Sequence, residues 1–189
     1  MFLDLIAEIV ATYRAPRAAI RRVIDRVENW SDVALIFGVA YCISSIAAVA
    51  VALVFDGGAG AGIVSLVSSL VFSVVAYAII AALIFQVGRF FGGKAAFIDI
   101  VAAIGWHSLA TSPFAPIVAL AAYAVHLEGG RAIFGLAQLG VAVVAIWLLS
   151  KFVAEAHGFQ SALRVGFALI AGAMAIGLVF SALLAGFIS

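Results

Sequence analysis

The sequence predicts an all-α, polytopic membrane protein with five transmembrane helices behind a short amphipathic N-terminal lead. Three observations carry this expectation. Sixty-seven per cent of the 189 residues are hydrophobic and ten per cent are charged, where soluble domains carry roughly a quarter charged residues, and mean hydropathy is strongly positive. Five apolar stretches each reach the ~20 residues that a helix needs to cross a hydrocarbon core of ~30 Å. Lysine and arginine fall almost wholly on one side of those stretches. A formal net charge of +1 gives no reason to expect a nucleic-acid partner.

The lead occupies residues 1–32. Phe2, Ile6, Ile9, Val10 and Tyr13 share one helical face, and Asp4, Glu8 and Thr12 fall away from it. Asp4 and Glu8 stand where a secretory signal carries positive charge, so no signal peptide is expected. Pro16 suits the first turn of a second helix. There Ile20, Val23, Ile24, Val27 and Trp30 form a stripe, and Arg17, Arg21, Arg22, Arg26 and Glu28 occupy the remainder. An apolar face flanked by arginines fits a helix lying among anionic headgroups. It fits equally an amphipathic helix packed on the bundle itself. Asn29, Ser31 and Asp32 offer caps for the helix that follows.

The bundle occupies residues 33–189, with spans expected near 34–55, 63–87, 100–125, 132–153 and 165–188. Exposed backbone cannot be satisfied by lipid, so helices are the only sensible assembly. Small residues at four-residue spacing, Ala40, Ser44, Ala48 and Ala52, then Ser65, Ser69 and Ser73, then Gly177, Ser181 and Ala185, are expected to bring helices close. Gln86 and Gln138 read as interhelical hydrogen-bond formers, and Cys42 as a small core residue. Arg14, Arg17, Arg21, Arg22, Arg26, Arg89, Lys94, Lys151 and Arg164 lie on one side and Arg131 alone on the other. The positive-inside bias therefore puts the N-terminus in the cytoplasm and the C-terminus, Ser189, outside.

The third stretch concentrates the chemistry. Trp106, His107, Ser108, Thr111, Pro113 and Pro116 make it the candidate polar notch or ligand site, because an ionisable side chain within a span needs partners and prolines remove backbone donors. Counting from Asp99 puts His107 about 12 Å below the cytoplasmic surface. The alternative is a neutral histidine bonded to a neighbouring helix. His107, His126 and His157 fall at different depths, which argues against a shared metal site; no cofactor and no metal are expected. There is no carboxylate pair within a span and no paired nucleophile and base, so no enzymatic activity is expected. The glycines at Gly57, Gly58, Gly60 and Gly62 join two membrane helices and read as a turn.

Three segments, TYRAPRAAI, GRFFGGKAAFIDIVAAIGWHSLATSPFAPI and HGFQSALRV, resemble the Yip1 family of small membrane proteins. The likeness runs from about Tyr13 to the end of the chain. It implies a five-span protein with a cytoplasmic N-terminus, in a family whose eukaryotic members act in vesicle trafficking and associate with prenylated Rab GTPases and with one another. This chain has only a short lead where those members carry a longer soluble region, and its alanine- and valine-rich composition looks bacterial.

The reading is a non-enzymatic protein of the bacterial inner membrane, acting through lipid or membrane-protein contacts as an adaptor. Its partners would be anionic lipid headgroups, other membrane proteins or further copies of itself. The surface expected to meet headgroups or partners comprises Arg17, Arg21, Arg22, Arg26, Arg89, Lys94 and Arg164. The alternative is a small transporter or channel built on the proline-kinked third span with His107.

Overall fold

The computed structural model describes residues 2–56, 63–125 and 129–188. The glycines expected to form a turn at 57–62, His126 and Ser189 lie outside the described residues. Within them the chain is helical: α1 (Phe2–Arg14), α2 (Pro16–Arg26), α3 (Trp30–Asp56), α4 (Ile63–Phe90), α5 (Phe97–Thr111), a 3-10 turn (Ser112–Phe114), α6 (Ala115–Ala124), α7 (Gly130–His157) and α8 (Ala162–Ile188).

Pro16 opens α2, where its missing N–H is no loss. The caps before α3 form as the sequence predicts. The Asn29 side-chain oxygen accepts from the backbone N–H of Ser31 at 2.9 Å and of Asp32 at 3.2 Å, and the Asp32 carboxylate accepts from the N–H of Glu28 and Asn29. This reciprocal arrangement satisfies donors that a helix start leaves open.

Four helices are long and apolar enough to cross a membrane, over Trp30–Val51, Val67–Phe90, Gly130–His157 and Ala162–Val179. The third apolar stretch is not one helix. It is divided at Ser112–Phe114 into helices of 15 and 10 residues, because Pro113 and Pro116 have no N–H to donate to the carbonyls of Leu109 and Ser112. The freed groups find other donors. The Ser112 hydroxyl donates to the Leu109 carbonyl at 2.8 Å, and the Ala115 N–H donates to the Ser112 carbonyl. Re-satisfaction by neighbouring hydroxyls is what permits a break at membrane depth.

α5 is the central element, packed against α2, α3, α4 and α7, with α8 against α7 at the periphery. Ile100, Ala102, Ala103, Ile104, Leu109 and Ala110 of α5 are fully or almost fully buried. Large apolar side chains point outward from the surrounding helices, Phe72 at 76% exposure and Leu178 at 70% among them, as a lipid-facing surface requires. Several packing expectations need correction. Ala40 is buried and Ser69 bonds the Tyr41 hydroxyl at 2.9 Å, but Gly177 and Ser181 face outward, where the serine hydroxyl returns to the Gly177 carbonyl. Cys42 is exposed on α3. Gln86 and Gln138 are also exposed and make no interhelical bond among the described residues.

Candidate functional site

The lead and two of the links meet at one end of the bundle. α2 buries Ala19, Ile20 and Val23 against α5 and α7, so the amphipathic stripe covers the bundle core. Two arginines flanking that stripe bind the end of α7 and the α7–α8 link. Arg17 donates to the carbonyls of Phe159 at 3.2 Å and Gln160 at 2.8 Å, and Arg21 pairs with Glu155 at 2.8 Å. Arg26 pairs with Glu8 at 2.6 Å, closing α2 onto α1. Ile6 and Val10 of α1 remain on the outer surface, 43% and 46% exposed.

α1 is latched to α5. The Trp106 indole N–H donates to the Thr12 hydroxyl at 3.1 Å, and that hydroxyl donates to the Glu8 carbonyl at 2.8 Å. The Tyr13 hydroxyl donates to the Ala110 carbonyl in the last turn of α5, where helix carbonyls lack their usual partners. The Tyr13 ring meets Phe114 edge-on at 6.1 Å between centroids. The lead therefore touches the proline turn directly.

The α4–α5 and α7–α8 links interlock through His157. α4 and α7 both end in Schellman caps. Gly92 and Gly158 have φ of +84° and +76°. Gly93 N–H reaches the Gly88 carbonyl at 2.8 Å, and Phe159 N–H reaches Ala154 at 2.7 Å. The His157 ring lies between Gly88 and Gly93: a Cβ on the first would stand 2.1 Å from Nε2 and a Cβ on the second 2.3 Å from Nδ1. Phe159 stacks on the ring at 5.3 Å, and the His157 carbonyl accepts from the Lys94 N–H at 3.2 Å. The ring is 2% exposed and both nitrogens lack a hydrogen bond. The Ile84 carbonyl is close enough to act on the ring but does not reach hydrogen-bonding geometry.

Arg22, Lys94 and Arg164 are exposed and make no side-chain ion pair among the described residues. Arg89 lies over the Phe85 ring at 5.9 Å. Sequence reasoning picked out these basic residues but missed Thr12, Tyr13, Gly88, Gly93 and His157. The glycine spacing in GRFFGGK and the histidine before glycine in HGFQ were the available signals, since both sit where helix ends require positive φ.

The residues of the notch separate. His107 donates Nε2–H to the Ala145 carbonyl of α7 at 3.0 Å, and its ring meets Phe152 edge-on at 6.5 Å. A carbonyl only accepts, so the proton sits on Nε2. Trp106 is buried against the lead. Ser108, Thr111 and Ser112 instead line a cavity of about 930 Å³ bounded by α3, α4, α5, α6 and α7, together with Gln138. The Ser108 hydroxyl is buried and unbonded, whereas that of Thr111 returns to the His107 carbonyl at 2.8 Å. Pro113 and Pro116 shape the turn above it. Among the described residues no group of His, Cys, Asp and Glu is arranged to hold a metal.

A helical membrane protein with a docked N-terminal helical lead is thus the class that fold and site define. The family model of the Yip1 domain matches residues 10–184, and the chain belongs to that family. No curated protein and no solved structure matched the chain.

Proposed function

We propose that this chain is a non-enzymatic multi-pass protein of a bacterial inner membrane that acts through contact of its basic end with anionic lipid headgroups. The observation that carries the reading is the docking of α2 onto the end of α7 and the α7–α8 link by Arg21 and Arg17, which gathers the lead and both links at one end. Arg22, Lys94 and Arg164 make no ion pair there among the described residues, and Ile6 and Val10 of α1 face outward. Each cation near an anionic surface contributes about 1 kcal/mol, and outward apolar side chains add buried area. The N-terminus is then cytoplasmic. Five crossings are supported by topology. Gly88 and His157 meet, so α4 and α7 end on the same side, and residues 91–129 must return along the length of α7, ~42 Å for its 28 residues. The test is the full chain in nanodiscs of mixed phosphatidylglycerol and phosphatidylcholine, with lipid enrichment measured by spin-labelled lipids. Replacing Arg22 and Lys94 with glutamine lowers enrichment of the anionic lipid; an unchanged value overturns the reading.

A transporter is the second reading, supported by the hydroxyl-lined cavity beside the broken third stretch. His107 does not line that cavity, so the variant that tests it is Ser108→Leu, with loss of flux expected in proteoliposomes. Absence of flux in the wild-type protein removes it.

A further inference from the structure

α4 and α8 flank α7 without packing closely on each other. Between them runs a groove of about 860 Å³, floored by Leu149 and Val153 and walled by Leu83, Val87, Leu169 and Ile176. Its mouth at the basic end is formed by Gln160, Ser161 and Arg164, and no acidic residue lines it. The Arg164 side chain is exposed and has no ion pair among the described residues. Along α8 the wall runs from Arg164 to Ile176, ~18 Å at 1.5 Å per residue, and along α4 from Phe91 back to Ile80, ~16 Å. One leaflet of a ~30 Å hydrocarbon core is ~15 Å deep. At Gly172 a Cβ would meet nothing within 4 Å, so α8 leaves the groove open at that level.

We infer that this groove holds one anionic phospholipid of the surrounding bilayer, its phosphate at Arg164 and one acyl chain between α4 and α8. An apolar slot one leaflet deep with a single cation at its outer end is complementary to an amphiphile bearing its anion at the same height. A phosphate accepts several charge-assisted bonds from a guanidinium. A zwitterionic headgroup brings its own cation beside the phosphate and gains less. The inference rests on the reading that the basic end lies among headgroups, and it names one built site within that surface.

The full-length protein, purified from bilayers of equal phosphatidylglycerol and phosphatidylcholine and released into mild detergent, is examined by native mass spectrometry. The wild type retains one phosphatidylglycerol in preference to phosphatidylcholine. Arg164→Gln lowers that preference about tenfold, the loss of one charge-assisted contact. Gly172→Phe, which fills the slot, lowers retention of both lipids. Arg131→Gln, exposed at the opposite end of α7 and outside the groove, retains lipid as the wild type does. All three positions lack packed side-chain neighbours or are exposed, so a thermal melt matching the wild type certifies each fold. Equal retention of the two lipids by the wild type, or an Arg164→Gln preference equal to that of the wild type, overturns the inference. If the Arg22 and Lys94 substitutions lower bulk enrichment while Arg164→Gln changes nothing, the groove site alone is refuted; if no variant alters either readout, both readings fall.

Discussion

His157 occupies the place where a side chain at Gly88 would be, with Nε2 2.1 Å from the position of the missing Cβ. Gly88→Ala must therefore displace either the ring or the end of α4, and overpacking of this kind costs about 1–3 kcal/mol. Gly172→Ala is the matched control, since a Cβ there meets open space and alanine is the better helix former. In a chain of this length each kcal/mol lowers the melting temperature by about 2–4 °C. Scanning calorimetry in detergent should find Gly88→Ala less stable and Gly172→Ala unchanged or more stable. Adding His157→Ala to Gly88→Ala should cost less than the two single losses combined, because the clash is relieved.

The latch between α1 and α5 sets a second expectation. Tyr13→Phe leaves the Ala110 carbonyl without its donor, a loss of about 1–3 kcal/mol for a buried group. α1 is the first described helix and is held to the bundle by a small set of named contacts, Tyr13, Thr12 and Glu8 among them, so the effect should show first as local release of the lead. Trypsin cleavage at Arg14 and Arg17 should accelerate in Tyr13→Phe and in Trp106→Phe, while the rest of the chain stays resistant. Burial raises the Tyr13 hydroxyl above its ordinary 10.0. The neutral form is the one favoured in the folded state, so its contribution is complete below pH 10 and declines as pH rises through the raised value. Cleavage unaffected by Tyr13→Phe would show that other contacts hold the lead.

Helix positions, caps and the apolar stripe of the lead were legible in the sequence because each is a local periodicity or a local hydrogen bond. Pro16, Asn29 and Asp32 behave as their types require. What covers the stripe was not legible, since Ile20 and Val23 fit headgroups and a protein core equally well. The third stretch was read as one kinked span, and the prolines were correctly identified as its disturbance. The extent of the break depended on a local donor, Ser112, and on Tyr13, a donor from a position that only the fold brings near. His107 drew attention as an interior ionisable group, yet His157, set at a helix end, is the less accessible of the two. Its burial arises from two glycines remote in sequence, and no pattern around it announces them.

The contacts of α2 with the end of α7 and the α7–α8 link differ in expected weight. The Arg21–Glu155 pair is exposed, with 53% and 21% of the two side-chain surfaces accessible, and such pairs contribute about 0–1 kcal/mol and weaken with salt. Arg17 instead satisfies two link carbonyls that have few other donors. Glu155→Gln should leave the melting temperature nearly unchanged, with any small loss disappearing at high ionic strength. Arg17→Ala should lower it by more and should retain that effect in salt. The reverse order would mean that the ion pair, rather than the carbonyl contacts, fixes α2.

The proline turn allows the sharpest test of how the third stretch is held. Ser112 is 3% exposed and its hydroxyl donates to the Leu109 carbonyl, which has no helical donor because Pro113 stands four residues later. Ser112→Ala should leave that carbonyl buried and unpaired, costing about 1–3 kcal/mol. Pro113→Ala restores the N–H that the carbonyl lacks, so its own cost should be small and offset by a regained helical bond. The consequence is a coupling: Ser112→Ala should be strongly destabilising beside Pro113 and only weakly so beside Ala at position 113. Melting temperatures of the four proteins in one detergent give this cycle directly. Additive losses would mean that the hydroxyl does not substitute for the missing backbone donor and that the division between α5 and α6 is held by packing against α3 and α7 alone.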